Sequence, residues 1–254
     1  MSKVKTVYKR SEGLADVANS YCPGCTHGII HKLVAESLVE LDLLDHTVGI
    51  SSVGCSALNY DFFSCDMQQA AHGRAPAVAT GIKRVRPDSI IFTYQGDGDL
   101  ASIGIAEAIH AAARSENLTI VFVNNAIYGM TGGQMAPTTL PGQVTTTSQD
   151  GRDPATQGLP LKISELMATI PGATYVERVS VHNPQHVFKA KKALKKAFQI
   201  QADKKGFSLI EFISTCPVNW GMTPKNAIDW AVDNLIPYYP LGVYKDKTEG
   251  EQND

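Results

Sequence analysis

The chain has 254 residues, a formal net charge of −2, 43% hydrophobic residues and only 19% charged ones. The near-balanced charge gives no electrostatic basis for binding nucleic acid or an anionic membrane surface, and the apolar content is too high for a disordered chain. No apolar run approaches the roughly 20 residues of a spanning helix, and Met1–Ser20 lacks the apolar core of a signal peptide, so the expected compartment is the cytoplasm. There, the five cysteines point to metal binding or redox chemistry rather than to a disulfide framework.

In chain order, Cys22-Pro23-Gly24-Cys25 comes first, just before an amphipathic helix from about Gly28 to Leu41. A short strand at Thr47–Ser51 leads into Ser52-Val53-Gly54-Cys55-Ser56. Cys65, in Phe63-Ser64-Cys65-Asp66, reads as an ordinary buried thiol. Ser89–Tyr94 and Leu118–Val123 are continuous β-branched and aromatic runs, suited to strands covered on both faces. Between them, Leu100–Arg114 carries Leu100, Ile103, Ala106, Ile109 and Ala113 at helical spacing. This is a βαβ unit with a right-handed crossover. Gly129–Gly158 is rich in Gly, Thr and Pro, and a loop of that length is more often functional than idle. Pro184–Ala202 is a Lys-rich helix with Val187, Leu194 and Phe198 on its buried side. Ser208–Ile213 is a last strand that runs into Ser214-Thr215-Cys216-Pro217. Neither a repeat nor a linker divides the chain. The alternation predicts one α/β domain over residues 1–244, a doubly wound and mostly parallel sheet, with a polar, frayed tail at 245–254.

The two clear strands end in polar motifs. Gln95-Gly96-Asp97-Gly98-Asp99 follows the first, and Asn124-Asn125-Ala126-Ile127-Tyr128-Gly129 follows the second. In a parallel sheet both leave the carboxyl edge, where open α/β sheets bind ligands. The Asp97 carboxylate and the Asn125 amide oxygen are hard donors suited to Mg²⁺, which keeps its other positions for phosphate oxygens and water. The glycines admit a phosphate close to the backbone, and a helix beginning near Asp99 turns its free N–H groups toward it. A lone Gly-Asp-Gly is better read as a capped turn. Paired with Asn-Asn after one helix and one strand, it reads as a Mg²⁺-diphosphate site.

This pairing resembles the thiamine diphosphate-binding signature. The resemblance implies that Asp97, Asn125 and the backbone of Ile127 hold Mg²⁺, with Gly96, Gly98, Asp99, Gly129 and Met130 along the diphosphate. By position alone, Cys55 and Cys216 leave the sheet at the same edge. Four convergent thiolates suit structural zinc or an iron–sulfur cluster, and a lone CxxC also suits a redox dithiol.

The whole set is similar to the β subunits of 2-oxoacid:ferredoxin oxidoreductases of the 2-ketoisovalerate or 2-oxoglutarate type. The motifs that carry it are YCPGCTHGI, SSVGCS, AAHGRAPAVATGIKRVRPD, YQGDGDLASIG, VFVNNAIYGMTGGQMAPTT and STCP, spread over most of the chain. The resemblance implies a pyrophosphate-type thiamine diphosphate domain with one 4Fe–4S cluster on Cys22, Cys25, Cys55 and Cys216. Val53, Gly54, Cys55 and Ser56 would flank the cofactor. His72, in His72-Gly73-Arg74, is the single catalytic candidate, and a capping His is its plainer reading.

The implied reaction is oxidative decarboxylation of a 2-oxoacid with coenzyme A to acyl-CoA and CO₂, with ferredoxin taking the electrons. Thiamine activation needs a glutamate from a pyrimidine-binding domain that this chain lacks. The implied partners are therefore an α subunit carrying that domain, and further γ and δ subunits. Glu36, Glu40, Glu107 and Glu165 read as solvated helix positions. Gly132 stands where some broad-substrate relatives carry Lys, which favours a branched-chain 2-oxoacid, with 2-oxoglutarate as the other candidate. The rival readings are a non-redox thiamine-dependent decarboxylase subunit with structural zinc, and a non-enzymatic zinc-binding module.

Overall fold

The two apolar runs read as central strands lie side by side in the middle of a seven-stranded sheet. The structure, a computed structural model, describes residues 7–248. Residues 1–6, and residues 249–254 of the tail read as polar and frayed, lie outside the described residues. The strands are β1 (Thr47–Ser51), β2 (Asp66–Gln69), β3 (Ile90–Gly96), β4 (Thr119–Asn124), β5 (Ala173–Ser180), β6 (Phe207–Ile213) and β7 (Gly242–Asp246). Their spatial order is β2-β1-β3-β4-β6-β5-β7, and every neighbouring pair is parallel except β5 with β7. The helices are α1 (His27–Glu40), α2 (Ala75–Val85), α3 (Ile105–Ala113), α4 (Pro154–Gln157), α5 (Ile163–Ala168), α6 (Pro184–Ala202), α7 (Pro217–Trp220), α8 (Pro224–Trp230) and α9 (Ile236–Tyr238).

The apolar runs are continuous because both faces of the sheet are covered. Phe92, Tyr94, Val121, Val123 and Phe212 pack on one face with Ile30 and Leu33 of α1 and Leu194 and Phe198 of α6. Ile91, Ile120, Phe122 and Leu209 pack on the other with Ala79 of α2, Ala108 of α3 and Met167 of α5. Each fully buried side chain of this size stabilises the fold by about 1.5–3 kcal/mol. A third cluster, including Ala126, Leu140, Leu235 and Tyr239, lies beyond the carboxyl ends of β4 and β6. None of the described helices is long and apolar enough to cross a membrane.

From β1 the chain moves outward to β2, whereas from β3 it moves the opposite way to β4. This reversal opens a crevice at the carboxyl edge between β1 and β3. Residues 52–56 and 96–99 border it, and the segments after β4 and β6 leave the same edge.

Several elements differ from the sequence reading. The helix predicted over Leu100–Arg114 is interrupted: Gly98–Ile103 forms a π turn, and α3 begins only at Ile105. The cause is close packing, since a Cβ on Gly104 would stand 2.7 Å from the Gly73 carbonyl oxygen. π turns recur at functional sites. The tail does not fray at Lys245, because Lys245 and Asp246 belong to β7 and Lys245 Nζ donates to the carbonyls of Ala168 and Ile170. The four glutamates read as solvated are ion-paired: Glu36 and Glu40 with Lys191, Glu107 with Arg74, and Glu165 with Arg178. Strand β5 lacks a plain apolar signature because Glu177 and Arg178 interrupt it.

Arg178 is fully buried and pairs at 2.8 Å with the equally buried Glu211 of the adjacent β6. Removing one partner leaves an uncompensated charge in the core. Arg178→Met is expected to destabilise the fold by about 3–5 kcal/mol, read from denaturant unfolding. An unchanged midpoint would refute that role.

Candidate functional site

Strand register delivers the two motifs to one point. Gly96 of β3 stands level with Val123 of β4, so Asp97 and Asn125 leave the edge together. The Ile127 N–H donates to Asp97 Oδ2 at 3.1 Å and to Asn125 Oδ1 at 3.2 Å. The two oxygens therefore converge beside a single backbone group. Asp97 Oδ2 also accepts from the Thr138 hydroxyl at 2.9 Å, and Oδ1 from the Gly98 N–H at 3.1 Å. Burial pushes the Asp97 carboxyl up to about 7, against the lowering effect of these donors. Among the described residues Asp97 has no cationic partner.

The cleft above them has a cavity volume of about 120 Å³. It is lined by every residue proposed for the cofactor: Val53, Gly54, Cys55, Ser56, Gly96, Gly98, Asp99, Gly129 and Met130. Nothing lies within 4 Å of where a Cβ would stand on Gly54 or Gly96. Protein packing thus leaves open the space at these glycines, as a ligand approaching the backbone requires.

His72 also lines the cleft. Its Nδ1–H donates to Asp99 Oδ1 at 2.6 Å, which leaves Nε2 as the other ring nitrogen. The Asp99 carboxylate is fully engaged: Oδ1 also accepts from the Gly73 N–H at 2.7 Å, and Oδ2 from Gln95 Nε2 at 2.6 Å. Asp99 therefore borders the cleft while its side chain orients His72.

The cysteine segments are tied together at the same edge. Tyr21 Oη donates to the Cys55 carbonyl at 2.9 Å, and the Thr215 hydroxyl to the Gly24 carbonyl at 2.8 Å. Asn219 Nδ2 donates to the Gly129 carbonyl at 2.7 Å and to Cys216 Sγ at 3.3 Å. A Cβ on Gly129 would stand 3.2 Å from Cys55 Sγ and 3.6 Å from Cys216 Sγ, so this glycine lies between the two sulfurs. Burial pushes the Cys25 thiol up to about 12, and the neighbouring Cys216, Cys55 and Cys22 add to the rise. Burial likewise pushes Cys55 up to about 11. Among the described residues no three His, Cys, Asp or Glu side chains are drawn around one point closely enough to hold a single metal ion. Cys65 lies apart, with its Sγ 3.9 Å from Met67 Sδ.

Residues 52–212, well over half of the chain, match the family described as thiamine pyrophosphate enzyme, C-terminal TPP binding domain. The ketoisovalerate oxidoreductase subunit VorA of Methanothermobacter thermautotrophicus is 46% identical over 242 residues, which cover 95% of this chain and 51% of that protein. The 2-oxoglutarate synthase subunit KorB of Methanocaldococcus jannaschii is 36% identical over 252 residues, 97% of this chain and 87% of that protein. A solved 2-oxoglutarate:ferredoxin oxidoreductase from Magnetococcus marinus, with 2-oxoglutarate, coenzyme A and succinyl-CoA bound, shares the fold with a TM-score of 0.78. That match covers 94% of this chain and 85% of the other, at 28% identity. The chain belongs to the thiamine diphosphate-binding subunits of the 2-oxoacid:ferredoxin oxidoreductases. It spans about half the length of the ketoisovalerate relative, 51%.

In this oxidoreductase subunit the cleft also recruits residues that sequence reasoning passed over. His27, Ser102 and Ile103 line it. His27 begins α1, accepts or donates at 2.7 Å with Tyr94 Oη, and is held neutral by burial, which pushes it down to about 4. A lone His at the start of an apolar helix carries no pattern that marks it as cleft-lining. Thr138, the partner of Asp97, comes from the long loop, which the buried guanidinium of Arg152 fastens to the carbonyls of Pro137, Thr139, Gln157 and Gly158.

The raised pKa of Asp97 has a sign that can be checked. Between its ordinary value near 3.8 and about 7, the folded state binds the extra proton, so rising pH costs stability. Metal-free wild type is therefore expected to lose stability relative to Asp97→Asn as pH rises from 5 toward 7. Paired denaturation curves measure this difference, and a gap independent of pH would contradict it.

Proposed function

We propose that this chain is the cofactor-bearing β subunit of a cytoplasmic enzyme that converts a 2-oxoacid and coenzyme A to acyl-CoA and CO₂. The electron pair released passes singly to ferredoxin. One observation carries the reading: the Asp97 and Asn125 oxygens and the Cys55 sulfur border a single cleft, with Gly129 between Cys55 and Cys216. Asp97, Asn125 and the Ile127 backbone would hold Mg²⁺. Gly96, Gly98, Asp99, Gly129 and Met130 would take the diphosphate, with Val53, Gly54, Cys55 and Ser56 alongside. Cys22, Cys25, Cys55 and Cys216 would hold a 4Fe–4S cluster. When bound, thiamine diphosphate supplies the electron sink for decarboxylation, and the cluster accepts electrons one at a time.

Four thiols within electrostatic reach of one another, yet not gathered on one point, suit a cluster in which each thiolate meets its own iron. A single tetrahedral zinc needs all its sulfurs at about 2.3 Å. Buried thiols with raised pKa values need a strong positive charge nearby before they ionise, and iron provides it. The chain's own part is to orient and to exclude water. His72, its Nδ1–H held by Asp99, leaves Nε2 as an acceptor in the cleft wall, while Val53, Ile103 and Met130 keep the cleft apolar.

No Glu lines the cleft among the described residues, and Glu36, Glu40, Glu107 and Glu165 are held in ion pairs. This supports an α subunit that supplies the activating carboxylate from a pyrimidine-binding domain, with γ and δ subunits completing the assembly. Neither Lys nor Arg lines the cleft among the described residues, and with Gly132 the adjoining stretch Tyr128–Gln134 has no cation. A branched-chain 2-oxoacid fits that lining better than 2-oxoglutarate, whose second carboxylate would need a partner. The higher identity to the ketoisovalerate relative supports the same choice.

The deciding measurement is turnover of a 2-oxoacid panel with coenzyme A and a one-electron acceptor dye by the co-purified complex. Branched-chain substrates should lead, and the isolated chain should be inactive. Cys216→Ser should abolish the broad visible absorbance of anaerobically purified protein, whereas Cys65→Ser should leave it intact. Stoichiometric zinc without that absorbance would overturn the redox reading in favour of the non-redox decarboxylase.

A further inference from the structure

We propose that the buried Arg178–Glu211 pair is a positioning device for the Mg²⁺ site, acting through two hydrogen-bonded arms that end on Asn125 and Asp97. The inference rests on the reading of those two residues as Mg²⁺ ligands. None of Arg178, Glu211, Asn124, Tyr239 or Thr138 lines the cleft, so whatever they contribute is transmitted through others.

The first arm runs along the sheet. Glu211 Oε2 accepts from Arg178 Nε at 2.8 Å and from the Ser164 hydroxyl at 2.5 Å. The remaining oxygen, Oε1, accepts from Asn124 Nδ2 at 2.8 Å. A carboxylate can only accept, so the Asn124 amide is locked with its Nδ2 toward Glu211 and its Oδ1 toward the turn. That Oδ1 accepts from the Ala126 N–H at 3.1 Å. Ala126 has φ +57, a left-handed conformation that a residue with a Cβ adopts at a cost. The Asn124 bond therefore helps hold a strained turn, and the same turn brings Asn125 Oδ1 to within 3.2 Å of the Ile127 N–H.

The second arm starts from the same cation. The Arg178 guanidinium lies 5.2 Å from the centroid of the Tyr239 ring. Tyr239 Oη donates to the Thr138 carbonyl at 2.7 Å, and the Thr138 hydroxyl donates to Asp97 Oδ2 at 2.9 Å. The arms close on each other, because Asp97 Oδ2 also accepts from the Ile127 N–H at 3.1 Å. Arg178 is itself immobilised by Glu165, the Pro240 carbonyl and the Tyr244 hydroxyl. One fixed charge thus sets the direction in which both ligand oxygens present their free lone pairs.

Partners that orient metal ligands are worth about 10–100-fold in metal affinity. The test measures the Mg²⁺ concentration for half-maximal thiamine diphosphate binding by the co-purified complex, with Tm and circular dichroism recorded in parallel. Tyr239→Phe and Thr138→Val each remove one hydroxyl and keep the packing. Glu211→Gln keeps the shape but removes the charge that locks Asn124. Each variant should raise the Mg²⁺ requirement about tenfold, and saturating Mg²⁺ should restore full binding. A lowered Tm with an unchanged Mg²⁺ requirement in Tyr239→Phe and Thr138→Val would overturn the proposal. Asp97→Ala separates the two levels: if it binds thiamine diphosphate with wild-type Mg²⁺ dependence, the Mg²⁺ assignment itself has failed, whatever the other variants do.

Discussion

Parallel pairing of β3 with β4 is the constraint on which the rest of this subunit depends. Gly96 opposite Val123 sets where Asp97 and Asn125 leave the sheet. Asn124 opposite Ile213 places the Cys216 segment beside the same turn. A slip of one residue would carry Phe92 and Tyr94 to the face now filled by Ile91, and every other side chain with them. Two covered faces forbid that exchange. Apolar packing, which has no chemistry of its own, thus fixes the polar edge to within a hydrogen bond.

The edge is expensive to build. Asp97, Asp99, Arg178 and Glu211 are all buried, and an unpaired buried charge costs several kcal/mol. Each is treated differently. Arg178 and Glu211 neutralise each other, and Asp99 is surrounded by donors from His72, Gly73 and Gln95. Asp97 receives donors but, among the described residues, no cation, and burial pushes its carboxyl above the usual range against those donors. A fold selected for stability alone would have no use for that arrangement. It stands at a cleft where no protein atom fills the space beside Gly54 and Gly96.

The cysteines follow a different logic. Segments far apart in the chain are drawn together by bonds that involve no sulfur ligand at all: Tyr21 to Cys55, Thr215 to Gly24, Asn219 to Gly129. Burial pushes the Cys25, Cys55 and Cys216 thiols upward. Their proximity is set by the backbone of the segments that carry them.

Much was legible in the sequence because it depends on local pattern. Strands Thr47–Ser51, Ser89–Tyr94 and Leu118–Val123, the long helix Pro184–Ala202 and both polar motifs declare themselves through periodicity and turn chemistry. Residue types alone also marked Asp97, Asn125 and Cys55, Cys22, Cys25 and Cys216 as chemically capable. Hidden from it were Thr138 and His27, the π turn at Gly98–Ile103, and strand β5, whose Arg178 reads as a surface residue until its partner appears. These depend on neighbours distant in the chain: Gly104 against Gly73, Thr138 against Asp97, Arg178 against Glu211. A sequence by itself determines which groups can ionise, donate or ligate. Only the tertiary structure decides which are buried together, because burial and pairing are properties of contacts between elements rather than of any one of them.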